Sequence, residues 1–303
     1  MITRRACLSG VAGAAALGSG YARGLVGRRP TLLRRTIPGT SESLPVIGLG
    51  SSGSFEVGPS ASARAALAEV LAAFIDAGGT LIDTSPNYGS AEDVLGDLIA
   101  AGELRPRLFV ATKLAAEGRE AGAVQFRESQ RRLRSPRLDL LQVHNLRDWR
   151  TQFDLARELK QEGHVRYVGL THYLDHAHAE LAAAMKVTRP DFVQINLSIV
   201  SRAAERVVLP LAQEMGIAVI INRAFEDGQL FARVRGRAVP EAVYAFGVTS
   251  WAQLFLKFVV AHPAVTCVIP ATSKARNLRD NLGAGFGPLP DAATRESWAR
   301  LLL

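Results

Sequence analysis

Leu81-Ile82-Asp83-Thr84-Ser85-Pro86-Asn87-Tyr88-Gly89 is the stretch on which the fold turns. It begins as a short apolar run, Thr80 to Ile82, that ends in a carboxylate, and the Ser-Pro-Asn-Tyr-Gly that follows is turn chemistry. A helical pattern opens near Ala91. The charge therefore stands where a strand gives way to a loop, and in parallel α/β proteins ligands bind beyond the carboxyl ends of the strands. Two later stretches repeat the form: Leu108-Phe109-Val110-Ala111-Thr112 runs into Lys113, and Leu138-Asp139-Leu140-Leu141-Gln142-Val143 runs into His144. If these strands are neighbours in one sheet, Asp83, Tyr88, Lys113 and His144 meet at one rim.

Strand and helix alternate on both sides of this stretch. Thr36 to Val46 holds Pro38-Gly39 and reads as a hairpin-like turn, and Leu44 to Leu49 reads as a first apolar strand closing in Gly48-Leu49-Gly50-Ser51-Ser52-Gly53. Helices are expected over 63–77, ending at Gly78-Gly79, and over 92–101 and 121–133. Further strands are expected over 165–170, 192–197, 217–221 and 265–269, separated by helices over 153–162, 177–186, 203–214 and 250–261. Eight alternating units in a chain of 303 residues predict a (β/α)8 TIM barrel, with a doubly wound open sheet as the alternative.

Composition is that of a globular protein with a large core, 48% hydrophobic and 21% charged. The formal charge of +8 is spread along the chain without blocks of like sign, which disfavours nucleic acid and suits a phosphate-bearing cofactor. Beyond the N-terminus no apolar run approaches the ~20 residues of a membrane span. Paired Arg4-Arg5 after Thr3, followed by the weakly apolar run Val11 to Leu17, resembles a bacterial twin-arginine export signal. Residues 1–30 are thus expected to be a signal or disordered segment, 31–303 one barrel domain, and the mature protein periplasmic. The alternative is an Ala-rich extension on a cytoplasmic protein. Cys7 lies in the presumed signal, leaving Cys267 in an apolar strand as an inert core thiol without a disulfide partner. No metal site is expected.

A phenol in water exchanges protons poorly at neutral pH, and a neighbouring ammonium favours its ionised form. Lys113 is the candidate neighbour for Tyr88, Asp83 would hold Lys113 charged and in place, and His144 would hydrogen-bond a substrate oxygen. The set suits polarising a carbonyl while something else delivers hydride. Each residue alone has an ordinary structural role open to it. Their joint occurrence at successive strand ends favours chemistry.

On these motifs the sequence resembles an aldo-keto reductase. The resemblance runs from about Arg35 to Asn281 and includes Leu44-Pro45-Val46-Ile47-Gly48-Leu49-Gly50, Asp83 to Gly89, Ala111-Thr112-Lys113, and Leu140-Leu141-Gln142-Val143-His144-Asn145. It continues through Gln194-Ile195-Asn196 and Ile269-Pro270-Ala271-Thr272-Ser273-Lys274. It implies a barrel closed at its base by an N-terminal hairpin, NADP(H) as cofactor with NAD(H) as the alternative, and a small carbonyl substrate. Asp83, Tyr88, Lys113 and His144 would form the catalytic tetrad, with Tyr88 as general acid. Gly50, Ser51, Thr171, His172, Asn222 and Arg223 would line the cofactor, and Gln194 would bond the nicotinamide carboxamide. Ala271, Thr272, Ser273, Lys274 and Arg276, with Asn281, would meet the adenosine phosphate.

The chain departs from the family pattern at three places. Thr171-His172 stands where Ser-Asn is usual, and Asn222-Arg223-Ala224-Phe225 where a nicotinamide-stacking Tyr precedes Ser-Pro-Leu, so that the stacking surface is either missing or supplied by Phe225. Ala271 and Asn277 replace the usual Lys and Arg, and Lys274 and Arg276 stand close by to supply the charge. Selectivity is expected from the loops 54–60, 117–122 and 146–149 and from the tail after Gly283, with Phe55, Trp149 and Phe286 as pocket walls or, equally, local packing anchors. Two other functions remain open: a lyase in which Lys113 forms a Schiff base, and an exported cofactor-binding or redox-sensing protein with little turnover.

If Arg4-Arg5 is an export signal, replacing both by Lys should abolish periplasmic accumulation in a twin-arginine-competent host, as read by fractionation. Unchanged partitioning of the Lys-Lys variant would refute the assignment.

Overall fold

Eight parallel strands follow one another in chain order around a single sheet: β3 (Leu49–Gly50), β4 (Leu81–Asp83), β5 (Phe109–Leu114), β6 (Leu138–Val143), β7 (Val165–Thr171), β8 (Phe192–Asn196), β9 (Ala218–Asn222) and β10 (Cys267–Val268). The computed structural model describes residues 31–302, so the twin-arginine-like segment lies outside the described residues. The two ends of the sheet meet. Ile47 bridges Val268, Gly50 bridges Ala271, and the Gly48 amide donates to Val268 O at 2.8 Å. The fold is thus the (β/α)8 barrel that the alternation predicts.

Helices α1 (Ala61–Asp76), α2 (Ala91–Ala101), α3 (Arg119–Arg132), α4 (Trp149–Gln161), α5 (His178–Thr188) and α6 (Val208–Met215) occupy the successive crossovers, and the short α7 (Gln229–Arg233) and α8 (Trp251–Val260) share the last. In α1 the residues Leu67, Val70, Leu71 and Phe74 recur at helical spacing and are sealed from solvent, which is why this segment is a helix laid on the sheet. The helices pack tightly enough to need glycine at one contact. A Cβ at Gly96 of α2 would lie 1.9 Å from the Arg132 carbonyl oxygen at the end of α3.

Inside the barrel the period-two alternation of the strands sorts residues by height. Leu81, Phe109, Leu140, Phe192, Ile220 and Cys267 belong to one apolar cluster filling the lower lumen. On the same faces, two residues further along or four in the case of β5, stand Asp83, Lys113, Gln142, Gln194 and Asn222. The lumen is therefore oily below and polar at the carboxyl-end rim. An antiparallel hairpin, β1 (Arg34–Thr36) with β2 (Ser43–Pro45), plugs the lower end: Ile37 and Leu44 join the apolar cluster, and Glu42 accepts from Tyr167 Oη at 2.8 Å and pairs with Arg166.

Four expectations change. The apolar run 44–49 is divided between the hairpin and β3: the Val46 amide still donates to Leu33 O at 2.9 Å, and the Gly48 amide donates instead to Val268 O of β10 at 2.8 Å. The helix expected over 203–214 breaks at Val207 (φ −130°) into a 3-10 turn, Ala203–Arg206, and α6, because Pro210 cannot donate to the Arg206 carbonyl. The strand expected over 265–269 shortens to Cys267–Val268. The tail after Gly283 is not a loop over the rim: following α9 (Ala275–Gly283) it forms α10 (Ala292–Ala299), capped by Asp291 and packed through Trp298 edge-on to Phe246 at 5.4 Å.

Gly96→Ala should lower unfolding free energy by roughly 1–3 kcal/mol, the range for overpacking against an immovable neighbour. Denaturant melts measure this, and a change below about 0.5 kcal/mol would mean that α2 and α3 slide apart freely.

Candidate active site

The rim is organised by one buried ion pair. Lys113 reaches out of β5 with its Nζ 2.6 Å from Asp83 Oδ1 and 2.7 Å from the Thr84 carbonyl oxygen, and both side chains are almost wholly buried. The same Nζ sits 5.0 Å from the centroid of the Tyr88 ring. Tyr88, half-buried in the loop after β4, meets His144 edge-on with ring centroids 5.8 Å apart. The four side chains expected to converge from the ends of β4, β5 and β6 do so.

Their electrostatics are opposed in a useful way. Burial pulls the Lys113 pKa down, but the Asp83 carboxylate and neighbouring Tyr88 outweigh it and raise the pKa above the ordinary lysine value. Burial, reinforced by the Lys113 charge and by His172, pushes His144 down to about 3. The site thus holds a charged lysine beside a neutral imidazole. The Ser85 hydroxyl lies 3.0 Å from His144 Nδ1 and already accepts from the Asn87 amide at 3.2 Å. When its proton is given to Nδ1, the imidazole proton stands on Nε2.

Asp83 is further held by two amides that sequence reasoning did not bring together. Gln142 Nε2 and Gln194 Nε2 each donate to Asp83 Oδ2 at 2.9 Å. Gln194 Oε1 accepts from Thr171 Oγ1 at 3.4 Å and Asn222 Nδ2 at 3.3 Å, and Asn222 Nδ2 also donates to the His172 carbonyl oxygen at 3.2 Å. Gln142 was legible in principle, because it stands two residues before His144 on the face that carries Leu140 into the lumen.

A cavity of about 830 Å³ opens above these groups. Of the expected residues, Gly50, Ser51, Asp83, Tyr88, His144, Thr171, Gln194, Asn222, Arg223 and Ala271 line it. Lys113 lies beneath the wall, while Thr272, Ser273, Lys274 and Arg276 lie outside it at the start of α9, and Asn281 is buried within that helix. The His172 ring is turned aside, stacked on Tyr173 at 5.6 Å. The aromatic walls are Tyr173, Phe225 and Phe231. Phe55 and Trp149, expected as walls, are buried core residues, and Phe286 packs on the core; each serves as a packing anchor.

The lining fits an extended polar ligand. Ser51 Oγ, Asn222 Oδ1 and Arg223 Nε are buried without a hydrogen-bond partner, a cost of about 1–3 kcal/mol each unless a ligand or water pairs them. Gly50 presents bare backbone, since a Cβ there would lie 2.7 Å from the Ile269 carbonyl oxygen. Among the described residues Lys274, Arg276 and Arg279 form no ion pair, which leaves their charge available to an anion near the mouth.

An eight-stranded barrel with an acid–base cluster at its carboxyl-end rim, under a cavity of this size, is an enzyme site of the barrel class. The sequence pattern of the Aldo/keto reductase family matches residues 46–297, and the chain belongs to that family. It is 32% identical to an aldo-keto reductase of Mycobacterium avium over 138 residues, 44% of this chain and 46% of the other. It is 28% identical to a methylglyoxal reductase of Escherichia coli over 246 residues, 77% of this chain and 83% of the other. Its fold matches an aldo/keto reductase of Klebsiella pneumoniae, solved with NADP and acetate, with a TM-score of 0.71 at 26% identity over 88% of this chain and 94% of that one. The chain spans about half the length of most of the curated relatives it matches.

His144 should not titrate between pH 5 and 8 when its ring protons are followed by NMR. Because the unfolded chain takes up this proton more readily, the residue's contribution to stability is complete above about pH 6.5 and falls as pH drops toward about 3. A midpoint near 6.5 in the folded protein would overturn the neutral assignment.

Proposed function

We propose that the chain is an NADP(H)-dependent oxidoreductase that reduces a small aldehyde or ketone, or oxidises the corresponding alcohol, with Tyr88 as the general acid. The observation that carries this reading is the Lys113 ammonium, fixed by Asp83 at 2.6 Å and set beside the Tyr88 ring at the floor of the cavity. A reduced nicotinamide, when bound, supplies hydride for a carbonyl carbon. The Tyr88 hydroxyl gives its proton to the carbonyl oxygen, and the Lys113 charge stabilises the phenolate left behind. His144, neutral and protonated on Nε2, donates a hydrogen bond to the same oxygen without competing as an acid. The bound Klebsiella relative and the three unpartnered polar atoms of the lining support the cofactor.

Gly50, Ser51, Thr171, Asn222 and Arg223 would hold the nicotinamide half along the cavity, and Ala271, Thr272, Ser273, Lys274 and Arg276 the adenosine phosphate at the start of α9. A cationic pair at that end favours NADP(H) over NAD(H). The Schiff-base alternative is disfavoured by the same geometry, because a lysine kept protonated and bonded to two oxygens is not a nucleophile. Export is part of the proposal and rests on Arg4-Arg5 and the weakly apolar run after it.

Tyr88→Phe should reduce aldehyde turnover by roughly 10²–10⁴-fold, the usual contribution of a general acid, while NADPH affinity by calorimetry changes by less than about twofold. Full turnover in the variant would remove Tyr88 from the mechanism. Single-turnover oxidation of NADPH by the wild-type protein, with no multiple turnover on any carbonyl, would favour the cofactor-holding alternative.

A further inference from the structure

We propose that Gln142 is a positioning residue: with Gln194 it clamps the outer oxygen of Asp83, so that the other oxygen is aimed at Lys113 and the Lys113 charge is held against Tyr88. This deepens the reading of the site as a proton-delivering one and rests on it. Gln142 is fully buried, is not part of the cavity wall, and cannot touch substrate or cofactor. Its Nε2 donates to Asp83 Oδ2 at 2.9 Å, and its Oε1 accepts from Gln194 Nε2 at 3.3 Å. The directions of these amides are not free choices. Asp83 can only accept, so both Nε2 groups face it, and Gln194 Oε1 is turned toward Thr171 and Asn222.

The barrel makes room for this clamp. Gly169 on β7 is paired in register with Gln142, and a Cβ there would lie 2.9 Å from the Phe192 carbonyl oxygen and 3.1 Å from Gln142 Cγ. Lys113 is paired with Gln142 on its other side. Gln194 is thereby committed as well: Nε2 serves Asp83 and Gln142, and Oε1 already accepts two bonds. The side chain expected to grip the nicotinamide is thus spent on the carboxylate, and Gln142 is its partner in that work. Without the clamp Asp83 can turn about its last bond, and the Lys113 ammonium loses the partner that fixes it.

Two variants test the assignment. Gln142→Glu keeps the shape and, while the new carboxyl is protonated, still donates to Asp83 Oδ2; once ionised it sets two carboxylates against each other. The titratable or charged groups around the position are Asp83, Lys113, Tyr88, His144 and the buried Cys267 thiol. The probe is 4-nitrobenzaldehyde with NADPH. Gln142→Glu should keep kcat within about threefold of wild type at low pH and lose about tenfold or more as pH rises through a new limb absent from the wild-type profile. Gln142→Leu should lose about ten- to hundredfold in kcat at every pH, with KM and NADPH affinity changed less than about twofold.

A second measurement needs no turnover. In the free wild-type protein the ¹⁵N-labelled Lys113 ammonium, assigned by its absence in Lys113→Met, should give a slowly exchanging signal at neutral pH that Gln142→Leu broadens or abolishes. An unchanged ammonium signal in Gln142→Leu, or a Gln142→Glu profile without a new limb, overturns the proposal. If the wild type reduces no aldehyde yet the ammonium signal depends on Gln142, the clamp stands and the reductase reading falls.

Discussion

The rest of the rim depends on the Lys113–Asp83 pair, because neither charge is tolerable there alone. Both lie in a lumen whose lower half is apolar, and breaking such a pair by deleting one partner costs about 3–5 kcal/mol, against about 1 kcal/mol for an ordinary hydrogen bond. The neighbours follow from that imbalance. Asp83 has an oxygen left over after Lys113, and Gln142 and Gln194 satisfy it. Gly169 is bare where Gln142 must pass, and the Thr84 carbonyl takes a second ammonium proton. The polarity of the amides on β6, β8 and β9 is thus set by one carboxylate on β4.

The same pair separates the titrations of the site. An ammonium kept charged by a carboxylate is a fixed positive source, and it adds to burial in keeping the adjacent imidazole neutral. Groups whose environments drive them apart divide the work of acid–base chemistry between them. Here the lysine is a fixed charge and the imidazole stays neutral, so that in the proposed reaction the phenol is left as the proton donor. The Cys267 thiol, free and buried, has its pKa raised by that burial.

The barrel and its four convergent side chains were legible because the signals were local. Each strand was a short apolar run, and three successive ones, β4, β5 and β6, carry or run into an ionisable residue at the carboxyl end, where a buried strand would otherwise have none. What escaped the sequence was decided by partners far away in the chain. Nothing near Gln194 shows that its amide is claimed by Asp83, 111 residues earlier. The division of the run 44–49 depends on where β10 offers a ladder, and α10 depends on a landing site for Trp298 against Phe246. Phe55 and Trp149 illustrate the other failure, for a loop aromatic looks the same in sequence whether it faces a ligand or the core.

Backbone strain in the molecule is gathered where the cavity wall is built. Among the described residues nine non-glycine positions have positive φ; Asn145, Leu146 and Asp148 follow β6, and Arg223, Glu226 and Asp227 follow β9. A left-handed conformation costs a side-chain-bearing residue roughly 1–2 kcal/mol, so the two loops are held against a local preference. The loop after β9 shows what holds it. Arg223 pairs with Asp227 at 2.7 Å, donates to the Tyr173 carbonyl oxygen at 3.3 Å and lies 5.7 Å from the Tyr173 ring. One guanidinium thus ties the strained turn to the loop after β7, on the opposite side of Gln194 and Asn222. Asn222-Arg223 at this strand end therefore supplies, through the guanidinium, the fastening that keeps this part of the wall in place, and Phe225 remains in the lining.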